Sequence, residues 1–144
     1  MAHSCAEFYI HIIFATKNRE DLIPPEIEDR LYAYLGGIAK KKQNILIRVN
    51  GMQDHIHLLI KLHPDTAIST LLRELKSYST GWLKKEGYED FSWQIGYGGF
   101  SCSITHLDGV IKYIENQKIH HETITLDQEI DNINKKWGTS WQLD

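Results

Sequence analysis

The sequence has few of the features that would place it outside the cell or in a membrane. It holds only two cysteines, Cys5 and Cys102, with neither CxxC spacing nor a secretory setting, so no disulfide framework is expected and both read as reduced cytosolic thiols. The apolar run from Phe8 to Phe14 is short, is interrupted by His11 and follows no basic region. It therefore reads as neither a signal peptide nor a membrane span, and a cytoplasmic protein with no membrane partner is expected. Positive charge is also scarce: the formal net charge is −3, which by itself argues against nucleic acid as a partner. The deficit has an address, because residues 122–144 hold five acidic and two basic side chains and leave residues 1–121 neutral. A neutral body can still carry a local basic face. What remains, 144 residues with 42% hydrophobic and 24% charged side chains, suits one globular domain over residues 1–144 with a core that needs no staples.

The chain is organised around Gln53-Asp54-His55-Ile56-His57-Leu58-Leu59-Ile60. On a β-strand His55 and His57 share one face while Ile56, Leu58 and Ile60 share the other, so one face can bind and the other can pack. Two imidazoles at this spacing stand roughly 6 to 7 Å apart at Cα and can converge on one divalent cation. Histidines on a half-exposed sheet face would look the same.

Around this stretch the pattern alternates between strand and helix. Glu7 to Thr16 alternates as a first strand and leads into a basic loop, Thr16-Lys17-Asn18-Arg19, whose plainest reading is a solvated turn. Pro24-Pro25 opens a helix with Ile27, Leu31, Leu35 and Ile38 at helical spacing, ending in Lys40-Lys41-Lys42. Ile45 to Val49 and His55 to Leu62 read as a hairpin turning at Asn50-Gly51. Pro64 to Thr66 opens a second helix, with Ile68, Leu71, Leu72, Leu75, Ser79 and Trp82 buried and Gly87 as the stop. Arg73 and Lys76 line another face of that helix, where they either meet phosphates or are simply solvated. Ser92 to Ser103 reads as a strand broken by a tight glycine loop, and a third helix runs to His120 with Tyr113 and Gln117 on one face. Beyond His121 the segment is polar and weakly periodic, a tail that Trp137 and Trp141 could pin. The order implies an α+β, ferredoxin-like split βαβ fold: an antiparallel sheet with two helices on one face and an extra C-terminal helix carrying the tyrosine.

Four stretches together resemble one family, the HUH single-tyrosine transposases of the smallest bacterial insertion sequences, a group that includes the REP-associated tyrosine transposases. Asp54 to Leu59 resembles its histidine-hydrophobic-histidine motif, and Thr16 to Arg19 its TKxR segment. Trp93-Gln94 with Gly96 to Ser101 resembles WQxGYGxFS, and Tyr113 to Gln117 with His120-His121 resembles the YxxNQxxHH helix. The likeness spans about residues 6–121, in the family's order and spacing.

The resemblance implies a transposase that cleaves and rejoins single-stranded DNA at hairpin-flanked sites. Tyr113 would be the nucleophile, forming a 5′-phosphotyrosine link and freeing a 3′-hydroxyl. His55, His57 and Gln117 would hold Mg2+ or Mn2+ against the scissile phosphate. Lys17, Arg19, Arg73 and Lys76 are the expected DNA contacts, and a homodimer is the expected working form. A domesticated or non-catalytic hairpin-binding protein of the same fold is the alternative. The residue chemistry agrees: a phenol with pKa about 10 is a poor nucleophile but a good leaving group, as a reversible transesterification requires.

Overall fold

In the computed structural model, which describes residues 4–142, the alternating first segment forms β1 (Phe8–Ala15). Its two faces go to different layers. Ile10, Ile12 and Phe14 enter the main core, while Tyr9 and Ala15 pack on the other side of the sheet. Helix α1 (Pro25–Lys41) starts on a proline in its first turn, carries Glu26 and Glu28 at its positive end and Lys40 and Lys41 at its negative end, and buries Ile27, Leu31, Leu35 and Ile38. The hairpin follows as β2 (Ile45–Gly51) and β3 (His55–Leu62), then α2 (Ile68–Lys85), which stops before Gly87 at φ +104°. The last strand is β4 (Gly98–Cys102). The sheet order is β2-β3-β1-β4, antiparallel at every pair. This is the α+β, ferredoxin-like arrangement read from the sequence. α1 and α2 cover the face that bears Ile56, Leu58 and Ile60.

The other face is roofed by the C-terminal third of the chain: α3 (Leu107–Glu115), the single turn α4 (Gln117–His120) and α5 (Leu126–Trp137). Ile114 of α3 packs on Leu59 and Tyr9, and Leu126 and Ile130 of α5 pack on Ala15. The α3–α4 junction is fastened to the hairpin: Asn50 Nδ2 donates to the Glu115 carbonyl at 3.1 Å, and Lys118 Nζ donates to Asn50 Oδ1 at 3.0 Å and to the Gly51 carbonyl at 2.9 Å.

Three elements differ from the sequence reading. The hairpin turns at Met52-Gln53-Asp54, and Gly51 remains in β2, paired with Ile56. That glycine serves close approach, since a Cβ there would lie 2.2 Å from the His55 carbonyl oxygen. The tyrosine helix ends at Glu115, because Asn116 (φ −93°, ψ 11°) leaves helical geometry before α4 begins. The expected polar tail contains a capped helix. Thr125 and Gln128 bond reciprocally in a capping box, Gly138 closes the other end at φ +66°, and Asn134 holds the backbone of Trp141 through bonds of 2.8 and 3.0 Å. The Trp141 indole in turn covers Gly98, where a Cβ would come within 2.7 Å of the ring.

Candidate active site

The β3 pleat aims His55 and His57 at the face roofed by α3, α4 and α5, and both side chains are fully buried there. α3 brings Tyr113 over them, with its ring centroid 5.6 Å from that of His57. The break at Asn116 turns the chain so that Gln117 opens α4 inside the site, its Oε1 3.3 Å from His55 Nε2. Tyr113, His55, His57 and Gln117, far apart in the sequence, are thus brought together.

Glu129 of α5 stands in the middle of them. Its Oε1 lies 3.1 Å from His57 Nε2, 3.1 Å from His121 Nε2 and 3.4 Å from His55 Nε2. Its Oε2 accepts hydrogen bonds from the Tyr113 hydroxyl and, at 3.0 Å, from Gln117 Nε2. A further ring of contacts orients the imidazoles: Asp54 Oδ1 is 2.7 Å from His55 Nδ1, the Ile124 carbonyl 3.1 Å from His121 Nδ1, and His11 Nε2 2.9 Å from His57 Nδ1.

These neighbours set the charges. Burial works to lower the His55 imidazole, but its hydrogen bonds to Asp54 and Glu129 and their negative charges prevail and lift it to about 9. His57 is pushed down to about 4 by its burial, which outweighs the opposing pull of Glu129, and burial takes His11 to about 3. Burial opposes ionisation of Glu129, yet hydrogen bonds from His55 and His57 hold it far below the usual carboxylate range. Burial and then the charge of Glu129 push the Tyr113 hydroxyl well above its ordinary value.

The donor set suits a divalent cation: two buried imidazoles and an amide oxygen converge, with His55 backed by a carboxylate in the way metal-bearing histidines commonly are. Beside Tyr113 a cleft of about 450 Å³ opens between α3 and α5, bordered by His11, Phe100, His120, Lys136 and Trp137.

The expected DNA contacts fall in two places. Lys17 and Arg19 occupy a 3-10 turn after β1, Lys17 exposed and Arg19 paired with Asp127 at the start of α5. Arg73 and Lys76 ride on α2, across the sheet from the histidines. Arg73 is exposed, whereas Lys76 is half-buried and donates to the carbonyls of Gln94 at 2.8 Å and Gly96 at 2.5 Å, bracing the glycine loop. Glu129 is the residue the sequence reading missed. Its one signal was an acidic residue in helical phase with Leu126, Ile130 and Ile133, where an apolar one would be expected.

Fold and centre together define a class: a ferredoxin-like domain whose second sheet face carries a buried histidine pair under a tyrosine helix. Residues 4–117 match the family described as Transposase IS200 like, and the chain belongs to that family, as its four motifs implied. The chain is 29% identical over 114 residues to the ISDra2 transposase TnpA of Deinococcus radiodurans, an overlap of 74% of this chain and 81% of that one. A crystal structure of a protein from D. radiodurans R1, described as a transposase, matches with a TM-score of 0.62 at 27% identity, covering 81% of this chain and 95% of the other. The structure of a REP-associated tyrosine transposase bound to a REP hairpin matches with a TM-score of 0.65, over 86% of this chain and 76% of that one. At 15% identity that likeness speaks for the fold. Among the described residues no helix is long and apolar enough to cross a membrane.

Proposed function

We propose that this transposase is a single-tyrosine DNA transesterase acting on single-stranded DNA beside hairpins. The observation that carries the reading is the Tyr113 hydroxyl entering the polar centre of His55, His57 and Gln117 on its own chain. The Tyr113 oxygen bonds to phosphorus, the bond from phosphorus to the 3′-oxygen breaks, and a 5′-phosphotyrosine and a 3′-hydroxyl result. Glu129 Oε2 orients the hydroxyl through its hydrogen bond, the phenolic proton passes to solvent as the bond to phosphorus forms, and the 3′-oxygen takes up a proton from solvent as it departs. His55, His57 and Gln117 would hold Mg2+ or Mn2+, whose chemistry is Lewis-acid stabilisation of the phosphoryl oxygens.

Arg19 reaches α5 through its pair with Asp127, and Lys17 shares its turn; both serve as phosphate contacts, with Arg73 holding a more distant part of the DNA. Lys76 acts through the loop it braces. The cleft beside Tyr113 is large enough for one nucleotide, with the exposed Trp137 as a stacking surface. A homodimer is the working form we assign, by the family resemblance.

The test is to incubate the protein with single-stranded oligonucleotides from the palindromic flanks of its gene, with and without Mn2+, and run denaturing gels beside Tyr113→Phe. A shifted band that needs metal and is lost in the variant is expected. Tight hairpin binding with no adduct under any condition would leave a binding protein of the same fold.

A further inference from the structure

His121 and Glu129 have no metal-binding part in the ligand set just described, yet among the described residues they form, with His55, the one cluster of histidine and carboxylate donors whose ligand atoms all lie within 4.8 Å. All three are buried or nearly so.

The partners of the two imidazole rings make their arrangement informative. His55 Nδ1 faces the Asp54 carboxylate and His121 Nδ1 faces the Ile124 carbonyl. Both partners only accept, so each Nδ1 carries a proton and each Nε2 is the ring atom turned toward the interior of the cluster. Both Nε2 atoms point at Glu129 Oε1, at 3.4 and 3.1 Å, where His57 Nε2 also arrives at 3.1 Å. One divalent cation answers the three nitrogens and the oxygen together.

The spacing agrees. Donors on a coordination sphere with bonds of about 2.1 Å stand roughly 3.0 to 3.4 Å apart, and each of the three nitrogens stands at that separation from Glu129 Oε1. Asp54 and the Ile124 carbonyl are the outer partners that orient such imidazoles.

From this geometry we infer that Glu129 and His121 are ligands of the same cation as His55 and His57, and that this set selects a first-row transition ion over Mg2+. The inference rests on the metal-binding reading above and adds two donors from the C-terminal third of the chain. Imidazole favours iron, cobalt, nickel or zinc and is accepted by manganese more readily than by magnesium, which prefers oxygen and retained water. The cation would also fasten α5 to the sheet, through Oε1, leaving Oε2 for Tyr113.

The experiment is calorimetric titration of the metal-free full chain with Mn2+ and with Mg2+, alongside the visible spectrum of the Co2+-loaded protein. Glu129→Gln and His121→Asn are compared with His55→Asn, His57→Asn and the exposed charge control Asp131→Asn. The expected result is that Mn2+ binds about a hundredfold tighter than Mg2+. Glu129→Gln and His121→Asn each weaken Mn2+ about tenfold or more and shift the Co2+ bands, and Asp131→Asn does neither. Pulsed EPR of the Mn2+-loaded wild type, which needs no variant to fold, is expected to show coupling to three imidazoles.

Wild-type affinity and spectrum in both Glu129→Gln and His121→Asn would overturn the inference. If His55→Asn and His57→Asn abolished binding in that case, the original metal reading would stand alone. Unchanged binding in all four would sink both readings. Equal affinity for Mg2+ and Mn2+ would overturn the selectivity.

Discussion

The Tyr113 hydroxyl donates its hydrogen bond to Glu129, a carboxylate from another helix that also meets three imidazoles. In the metal-free protein this contact restrains the nucleophile, because an adjacent negative charge disfavours the phenolate, and burial adds to the effect. Glu129→Gln removes the charge while keeping an oxygen to accept the bond. Tyr113 is expected to ionise at lower pH in that variant, followed by ring-carbon NMR of labelled tyrosine assigned through Tyr113→Phe. An unchanged titration would mean that burial alone holds the hydroxyl.

The two strand histidines pull stability in opposite directions as pH changes. His55 is raised to about 9, above its unfolded value of about 6.5, so its contribution is full below 6.5 and is lost as pH rises through 9. His57 is lowered to about 4, so its contribution is full above 6.5 and is lost as pH falls toward 4. Thermal unfolding in EDTA is therefore expected to peak near pH 6.5, with the alkaline limb flattened in His55→Asn. A melting temperature that keeps rising to pH 9 would contradict the assignment of that proton to His55.

The parts of the site legible in the sequence are those fixed by short-range periodicity. Alternation in β3 separates His55 and His57 from Ile56 and Leu58, and the spacing of Tyr113 and Gln117 points both the same way. The break at Asn116 was not legible, because nothing in Ile114-Glu115-Asn116-Gln117 forbids a continuous helix; the Asn50 and Lys118 bonds to the hairpin accompany it. Glu129 was hidden for a related reason. A carboxylate in an apolar stripe looks like a weak helix until the histidines that neutralise it arrive from a strand more than sixty residues earlier. Trp141 was correctly marked as a pin, though its seat, the bare backbone of Gly98, is a tertiary contact.

Gly51 shows how tightly the hairpin is built beneath the site. A methyl group there would meet the His55 carbonyl oxygen at 2.2 Å and the Ile56 Cα at 2.8 Å, both backbone atoms of the paired strand. Neither can step aside without moving β3. Gly51→Ala is expected to cost about 2 to 3 kcal/mol, measured by urea unfolding, from forcing apart a well-packed pair. Because the displaced residue is His55, weaker Mn2+ binding should accompany the loss in whatever fraction stays folded. A neutral outcome in urea would show that the hairpin relaxes by another route.

Arg19 is proposed to hold a phosphate, yet in the free protein its guanidinium is paired with Asp127 in the first turn of α5. An exposed pair of this kind contributes little to stability, on the order of 0.2 to 1 kcal/mol, so DNA can compete for the arginine. Removing the rival charge should then help binding. Asp127→Asn is expected to tighten single-stranded DNA binding about two- to fivefold at low salt, and Arg19→Ala to weaken it and make the salt dependence shallower. The double variant is the decisive one, because Asp127 acts through Arg19. It should bind like Arg19→Ala alone, with no gain from losing the aspartate. If the Asp127→Asn gain persisted in full without Arg19, the aspartate would be repelling DNA directly and the pairing would not gate the contact.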